Sequence, residues 1–252
     1  MTTAQPSTAH ADAAFDTSFK NLRVRRLAGR IGAEIHDLKL SGSLDEATFS
    51  ELYAALLKHK VVFLRGQGHL DDAEHQAFGA RFGKTVAHPT VPAREGTRIF
   101  ELDASKGGGR ADSWHTDVTF IDAFPKVSIL RGVTIPAYGG DTVWASTVAA
   151  YEGLPDDLKR LAEGLWAVHS NDYDYAAQRT EIDATRLAHH QKVFVSAVFE
   201  AEHPVVHVHP ETGERGLLLG HFIKRISGLT TAESARIFEI LQNRVIRLEN
   251  TV

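Results

Sequence analysis

Cysteine is absent from all 252 residues. That absence removes disulfides, thiolate zinc sites, iron–sulfur clusters and cysteine nucleophiles together. A reducing compartment fits such a chain, and the cytoplasm is the expected location. No run of eighteen apolar residues occurs, so no stretch reads as a membrane-spanning helix. Basic charge is not in excess: 28 Lys and Arg stand against 32 Asp and Glu, a formal net charge of -4. No cationic surface dominates, which argues against nucleic acid as a partner. The opening "MTTAQPSTAHADAAFDTSFK" lacks a basic start followed by an apolar stretch. Residues 1–20 therefore read as a loose, disordered polar tail rather than a signal peptide.

What is present is ordinary in bulk and unusual in one residue. Hydrophobic residues make up 43% and charged residues 24%, which is enough for a sizeable soluble core. Fourteen histidines exceed what a core needs. There is no internal repeat and no long linker, so 21–252 reads as one domain. Residues 22–40 alternate well enough for two short strands around a turn at Gly29 to Gly32. Ser43 and Glu46 have capping-box spacing, ahead of Phe49, Leu52, Tyr53, Leu56 and Leu57 at helical spacing. "VVFLRG" at 61–66 reads as a buried strand, and 71–82 as a helix opened by Asp71 and closed by Gly83.

The middle of the chain reads as strand-rich, with candidates at 97–103, 127–133 and 141–146. A helix starts at Pro155, another fits 184–198, and a last one is capped by Thr230 or Thr231. "HPVVHVH" and "RGLLLG" flank "PETGE" as a hairpin would. The implied class is mostly β with flanking helices, a double-sheet architecture.

"DSWHTDVTF" at 112–120 carries the chemistry. On a strand, residues i and i+2 share a face, so His115 and Asp117 would project together. Imidazole and carboxylate side by side are two ligands for a divalent metal. A distant histidine would complete a facial triad with three positions open, the arrangement of non-haem Fe(II) oxygenases. An H-x-D tripeptide by itself serves equally well as a structural polar pair.

In combination with other segments the motif carries a resemblance. "GRIGAEI" (29–35), "HKVVFLRGQ" (59–67), "AHPTVP" (87–92), "WHTDVTF" (114–120) and "GGDTVWA" (139–145) belong to the pattern. So do "LWAVHSNDYDY" (165–175), "EHPVVHVHPETGER" (202–215), "LGHFIKRI" (219–226) and "RLENTV" (247–252). Residues 22–252 resemble the Fe(II)/2-oxoglutarate-dependent dioxygenases of the taurine and alkylsulfate branch, particularly the bacterial alkylsulfatase dioxygenases. The resemblance implies a double-stranded β-helix, or jelly roll, with Fe(II) as cofactor and 2-oxoglutarate as cosubstrate. It implies O2-dependent hydroxylation of an alkyl sulfate, releasing aldehyde and sulfate. Taurine, another sulfonate or a phenoxyalkanoate are alternative substrates, and a non-catalytic jelly-roll module is the alternative of another class. A homo-oligomer, dimer or tetramer, is implied as well.

Residue by residue, His115 and Asp117 resemble the first two iron ligands, and Thr142 the threonine that bonds the far carboxylate of 2-oxoglutarate. His88 resembles the histidine that meets the sulfate or sulfonate group. Val118 resembles the residue whose backbone N–H also contacts that oxyanion. The family's third iron-ligating histidine and its 2-oxoglutarate arginine follow a later strand, and neither motif occurs in the 252 residues. The expectation is a C-terminally incomplete domain lacking its last strands. His207, His209 and His221 precede that region and read as structural or surface histidines. Trp114 and Phe120 are expected to pack around the site.

Overall fold

A computed structural model describes residues 14–103, 113–172 and 197–252. They fall into two compact units, and the chain passes between them several times. Unit 1 comprises the residues up to Phe78, Arg131–Ser146 and Arg247–Val252; unit 2 comprises Gly79–Leu130 and Thr147–Ile246.

Unit 1 is built on a three-stranded sheet: β1 (Arg23–Arg26), β2 (Ala33–His36) and β3 (Val62–Leu64), in that order. β1 and β2 form the expected antiparallel pair, while β3 runs parallel to β2. A parallel neighbour requires a crossover connection, and α1 (Glu46–His59) supplies it. The helix buries Phe49, Leu52, Ala55 and His59, one stripe at helical spacing. Burying Leu52 alone contributes about 2 kcal/mol.

The start of α1 differs from the Ser43–Glu46 expectation. Asp45 is the N-cap, its carboxylate accepting the Thr48 N–H at 2.9 Å, while Ser43 turns its backbone N–H to the Ser41 hydroxyl. A carboxylate two residues nearer the helix satisfies the free N–H at least as well as a hydroxyl. The following helix, α2 (Asp72–Ala80), begins as expected, with Asp71 accepting the Glu74 N–H.

Residues 14–20, expected within the tail, pack on this unit. Phe15 bridges Arg25, and buried Asp16 meets Lys58 at 2.7 Å and His59 at 3.1 Å. Burial would raise the Asp16 carboxyl. Hydrogen bonds from Lys58 and Ser18 outweigh it and hold the group well below the usual carboxylate range. The "RVRR" run at 23–26 is β1. It carries ion pairs from Arg23 to Asp37 and from Arg25 to Glu34.

Unit 2 contains a three-stranded antiparallel sheet with β4 (Trp166–Ser170) between β5 (Glu200–Pro204) and β8 (Ile223–Ile226). The expected hairpin is present as β6 (Val206–Val208) and β7 (Arg215–Leu217). Its turn is held by His209, whose Nδ1 accepts the N–H groups of Glu211 and Thr212. Short α3 (Thr147–Glu152) packs on β7, where a side chain at Gly216 would run into Thr147. α4 (Asp156–Glu163) follows Pro155. α5 (Thr231–Val245) opens on a full capping box of Thr230 and Glu233, and Ser234 ties it to β8 by accepting the Ile226 N–H. The helix expected over 184–198 falls, for 184–196, outside the described residues.

The expected strand-rich middle is not observed as strands. Residues 97–103, 127–133 and 141–146 are irregular, apart from one bridge between Ala145 and Thr251. A strand exists through its ladder, and among the described residues these segments have no strand partner. The described structure is therefore mixed α and β. Among the described residues no helix is long and apolar enough to cross a membrane.

Candidate metal and anion site

His115 and Asp117 do not lie on a strand. They sit on an irregular approach and a turn over 117–120, yet the turn achieves what the strand was expected to do. His115 Nε2 lies 3.3 Å from Asp117 Oδ1, and the two side chains are 27% and 49% exposed. The pair is thus open enough for a ligand to reach.

Each member is held from behind. His115 Nδ1 lies 2.8 Å from the Ser113 carbonyl, which can only accept, so Nδ1 carries a proton and donates it. When the ring is neutral, the Nε2 lone pair faces Asp117. The Ser128 hydroxyl donates to Asp117 Oδ2 at 2.8 Å, leaving Oδ1 toward the imidazole. The hydrogen bond with Asp117 raises the His115 imidazole above its ordinary value against the opposing effect of burial. The bond to His115 lowers Asp117, with Ser128 adding to it, again against burial. Such oriented N and O donors fit a divalent metal, and the partners on Nδ1 and Oδ2 are those that fix ligand tautomer and angle. Among the described residues no group of three or more His, Cys, Asp or Glu side chains could hold a metal, so this is a two-donor site there.

Two local features let the chain fold this way. Val118 has φ 57°, the left-handed region, unusual for a β-branched residue and costing on the order of 1–3 kcal/mol. This turns the chain sharply after Asp117. The second feature is Gly220, where an added Cβ would lie 2.8 Å from His115 Cα and 3.0 Å from the Trp114 carbonyl oxygen. Glycine allows the segment before β8 to run against His115, and His221 N–H donates to that same Trp114 oxygen at 2.9 Å.

His88 belongs to the same unit. Its Nδ1 accepts the N–H groups of Val91 at 3.0 Å and Thr90 at 3.3 Å, and its ring stands edge-on to Phe100 and Phe120. A ring nitrogen that accepts is unprotonated, so the proton of the neutral ring is on Nε2. Burial lowers the His88 imidazole, while the charge of Asp117 acts in the opposite sense.

Val118 and Phe120 are buried and form a cluster with Phe222, flanked by Ile121 and Phe199. Phe120 thus packs beneath the turn as expected, and Trp114 contributes its carbonyl. The structure brings His115, Asp117 and Val118 together, with His88 under the influence of Asp117. Thr142 is exposed, follows Gly139 and Gly140 at positive φ, and belongs to unit 1. His221 stands beside His115, with ring centroids 5.4 Å apart. His207 packs against Phe124 at 5.5 Å. Tyr173 and Tyr175 lie outside the described residues.

Ser128 and Ser113 escaped sequence reasoning. Ser128 sits in a segment that looks like a strand, and nothing local marks a backbone carbonyl as a ligand support. Gly220 had a signal, a glycine directly before a histidine in "LGHFIKRI".

Comparison with known proteins assigns the chain. It is 58% identical over 232 residues to an alpha-ketoglutarate-dependent sulfate ester dioxygenase of Pseudomonas putida, a match covering 92% of this chain and 77% of that enzyme. It is 56% identical to an alkylsulfatase of Acinetobacter baylyi, covering 92% and 74%. Among solved structures, a taurine dioxygenase from Burkholderia xenovorans superimposes with a TM-score of 0.72 at 38% identity, covering 92% and 75%. Residues 23–252 match the family described as taurine catabolism dioxygenase TauD, TfdA family, and the chain belongs to that family.

Proposed function

We propose that this chain is a 2-oxoglutarate-dependent sulfate ester dioxygenase that uses His115 and Asp117 to hold Fe(II). The observation that carries the reading is identity of 58% and 56% across 92% of the chain to two enzymes named for sulfate ester chemistry. The paired donors, oriented from behind, are what that chemistry requires of the protein. Bound Fe(II), with 2-oxoglutarate and O2, supplies the oxidant that inserts one oxygen atom into a substrate C–H bond.

The chain's own residues bind and aim the substrate. His88, with Nδ1 occupied by backbone N–H groups, offers Nε2–H to a sulfate oxygen, and the Val118 N–H joins it. Thr142 bonds the far carboxylate of 2-oxoglutarate. Phe120, packed beneath the turn, keeps water from beneath the reacting groups. Hydroxylation at the carbon bearing the ester oxygen converts R–CH2–OSO3⁻ into R–CH(OH)–OSO3⁻. The hydroxyl proton and the C–O bond are then lost, giving aldehyde and hydrogen sulfate. 2-Oxoglutarate is oxidised to succinate and CO2 as O2 is reduced, one oxygen atom going to succinate and the other to the hydroxylated sulfate ester. No hydrolytic nucleophile is needed.

The jelly roll is part of the same proposal, supported by the structural likeness at TM-score 0.72. Homo-oligomeric assembly and a cytoplasmic location rest on the family likeness.

The test is turnover with Fe(II), 2-oxoglutarate and O2 across a panel of medium-chain alkyl sulfates, taurine and a phenoxyalkanoate. Succinate and sulfate should appear together with alkyl sulfates, and Asp117→Ala should abolish both. Sulfite from taurine in place of sulfate would move the substrate class to sulfonates. Undiminished turnover by Asp117→Ala would overturn the metal assignment.

A further inference from the structure

The left-handed turn that carries Asp117 must be held by something, and two buried histidines hold it. His169 is on β4 and His203 on β5. In the ladder His203 pairs with Ala167, two residues before His169, so both imidazoles rise from the same face at diagonal positions. Their ring centroids are 5.3 Å apart and nearly perpendicular. Both side chains are buried, and both reach Thr119, itself buried.

His203 Nε2 lies 2.9 Å from the Thr119 carbonyl oxygen and 3.2 Å from that of Ile121. Two carbonyls can only accept, so Nε2 carries the proton and divides it between them. His169 Nδ1 lies 2.8 Å from the Thr119 hydroxyl, while its Nε2 is buried with no hydrogen-bond partner among the described residues. A buried N–H without an acceptor is rare, which places the proton of His169 on Nδ1, donating to Thr119. Thr119 is therefore gripped at its hydroxyl by one strand and at its carbonyl by the next. It lies between Val118, at φ 57°, and fully buried Phe120.

We propose that His169 and His203 are positioning residues of the candidate metal site: they clamp Thr119 and so hold the Asp117 carboxylate beside His115. Their hydrogen bonds go to Thr119 and Ile121, so they act through the backbone of the turn. The inference rests on the metal-site reading above for its purpose, but the clamp is measurable without metal.

The experiment uses Thr119→Val, which keeps the methyl packing and removes the hydroxyl, and Thr119→Ser, which does the reverse. His203→Leu and His203→Gln form a second pair, because the glutamine amide can still donate at similar reach. In metal-free protein, deuterium exchange of the amides of 118–121 should quicken about tenfold in Thr119→Val and His203→Leu. It should return to near the parent rate in Thr119→Ser and His203→Gln. Mn(II) titrated calorimetrically should bind about tenfold more weakly to the first pair, with recovery in the second.

Exchange and affinity unchanged in Thr119→Val would overturn the clamp, as would Thr119→Ser behaving like Thr119→Val. Turn amides that respond as described, in a protein binding no Mn(II) in any form, would sink the metal reading and leave the clamp standing.

Discussion

Acidification from pH 7 to pH 5 destabilises this protein through His169. Burial, reinforced by His203, holds its imidazole at about 3 against an ordinary value of 6.5. Above pH 6.5 the ring is neutral in both folded and unfolded chains, and it adds no pH dependence. Below that, the unfolded chain takes up a proton that the folded one refuses, so stability falls as pH falls. The loss is about 1.4 kcal/mol per pH unit once the unfolded ring is protonated, or about 2 kcal/mol by pH 5. It levels off at about 5 kcal/mol near pH 3.

Other groups move with and against it. His59, His88 and His207 are also lowered and act in the same direction. His115 is raised, so its contribution is fully present at acid pH and is lost as pH rises through its folded value. Asp16 and Glu34 are lowered, and their stabilisation is lost only as pH falls below the ordinary carboxylate range. The His169 share is isolated by comparing the parent with His169→Gln in urea unfolding at 25 °C, followed by far-ultraviolet circular dichroism. Between pH 7 and pH 5 the parent should lose about 2 kcal/mol more than the variant. Equal losses would refute the argument, whatever the variant's stability at pH 7.

Gly220→Ala should cost about 2–3 kcal/mol, because its Cβ meets backbone atoms of Trp114 and His115 that cannot yield, at a φ of 127°. Mn(II) affinity should fall with it, and a variant equal to the parent in urea midpoint and Mn(II) titration would show that the close approach carries no constraint. Thr230→Ala removes the hydroxyl that caps α5 and should cost about 1 kcal/mol, read as a lower thermal midpoint with turnover per folded molecule unchanged.

The elements that were legible in the sequence are those specified locally. The cap at Thr230 or Thr231, Asp71 at the start of α2, and the turn between β1 and β2 are signals a few residues long. So is the β6–β7 hairpin around "PETGE", and each appears in the structure. What depends on distant partners was not legible. Residues 127–133 have the composition of a strand, but strands are made by neighbours, and Ser128 is used instead to orient Asp117. The His115–Asp117 pairing was read correctly from spacing while its backbone was not. The left-handed residue at 118 lies beyond the pair and turns the chain away after Asp117, and valine gives no hint of that conformation. Thr119, His169 and His203 are scattered over 84 residues, and only the sheet makes them one device.

The last residues of unit 1 close what the first ones begin. Val252 exchanges two backbone hydrogen bonds with Trp144 and fills the space beside Gly32 that a side chain there would take. Asn250 accepts from Arg30, 220 positions earlier. On the ribosome, the β1–β2 hairpin emerges long before the segment that seals its open end. A chain truncated before Asn250 loses both contacts and should be cleaved faster by protease at Gly29–Gly32 than one that carries them.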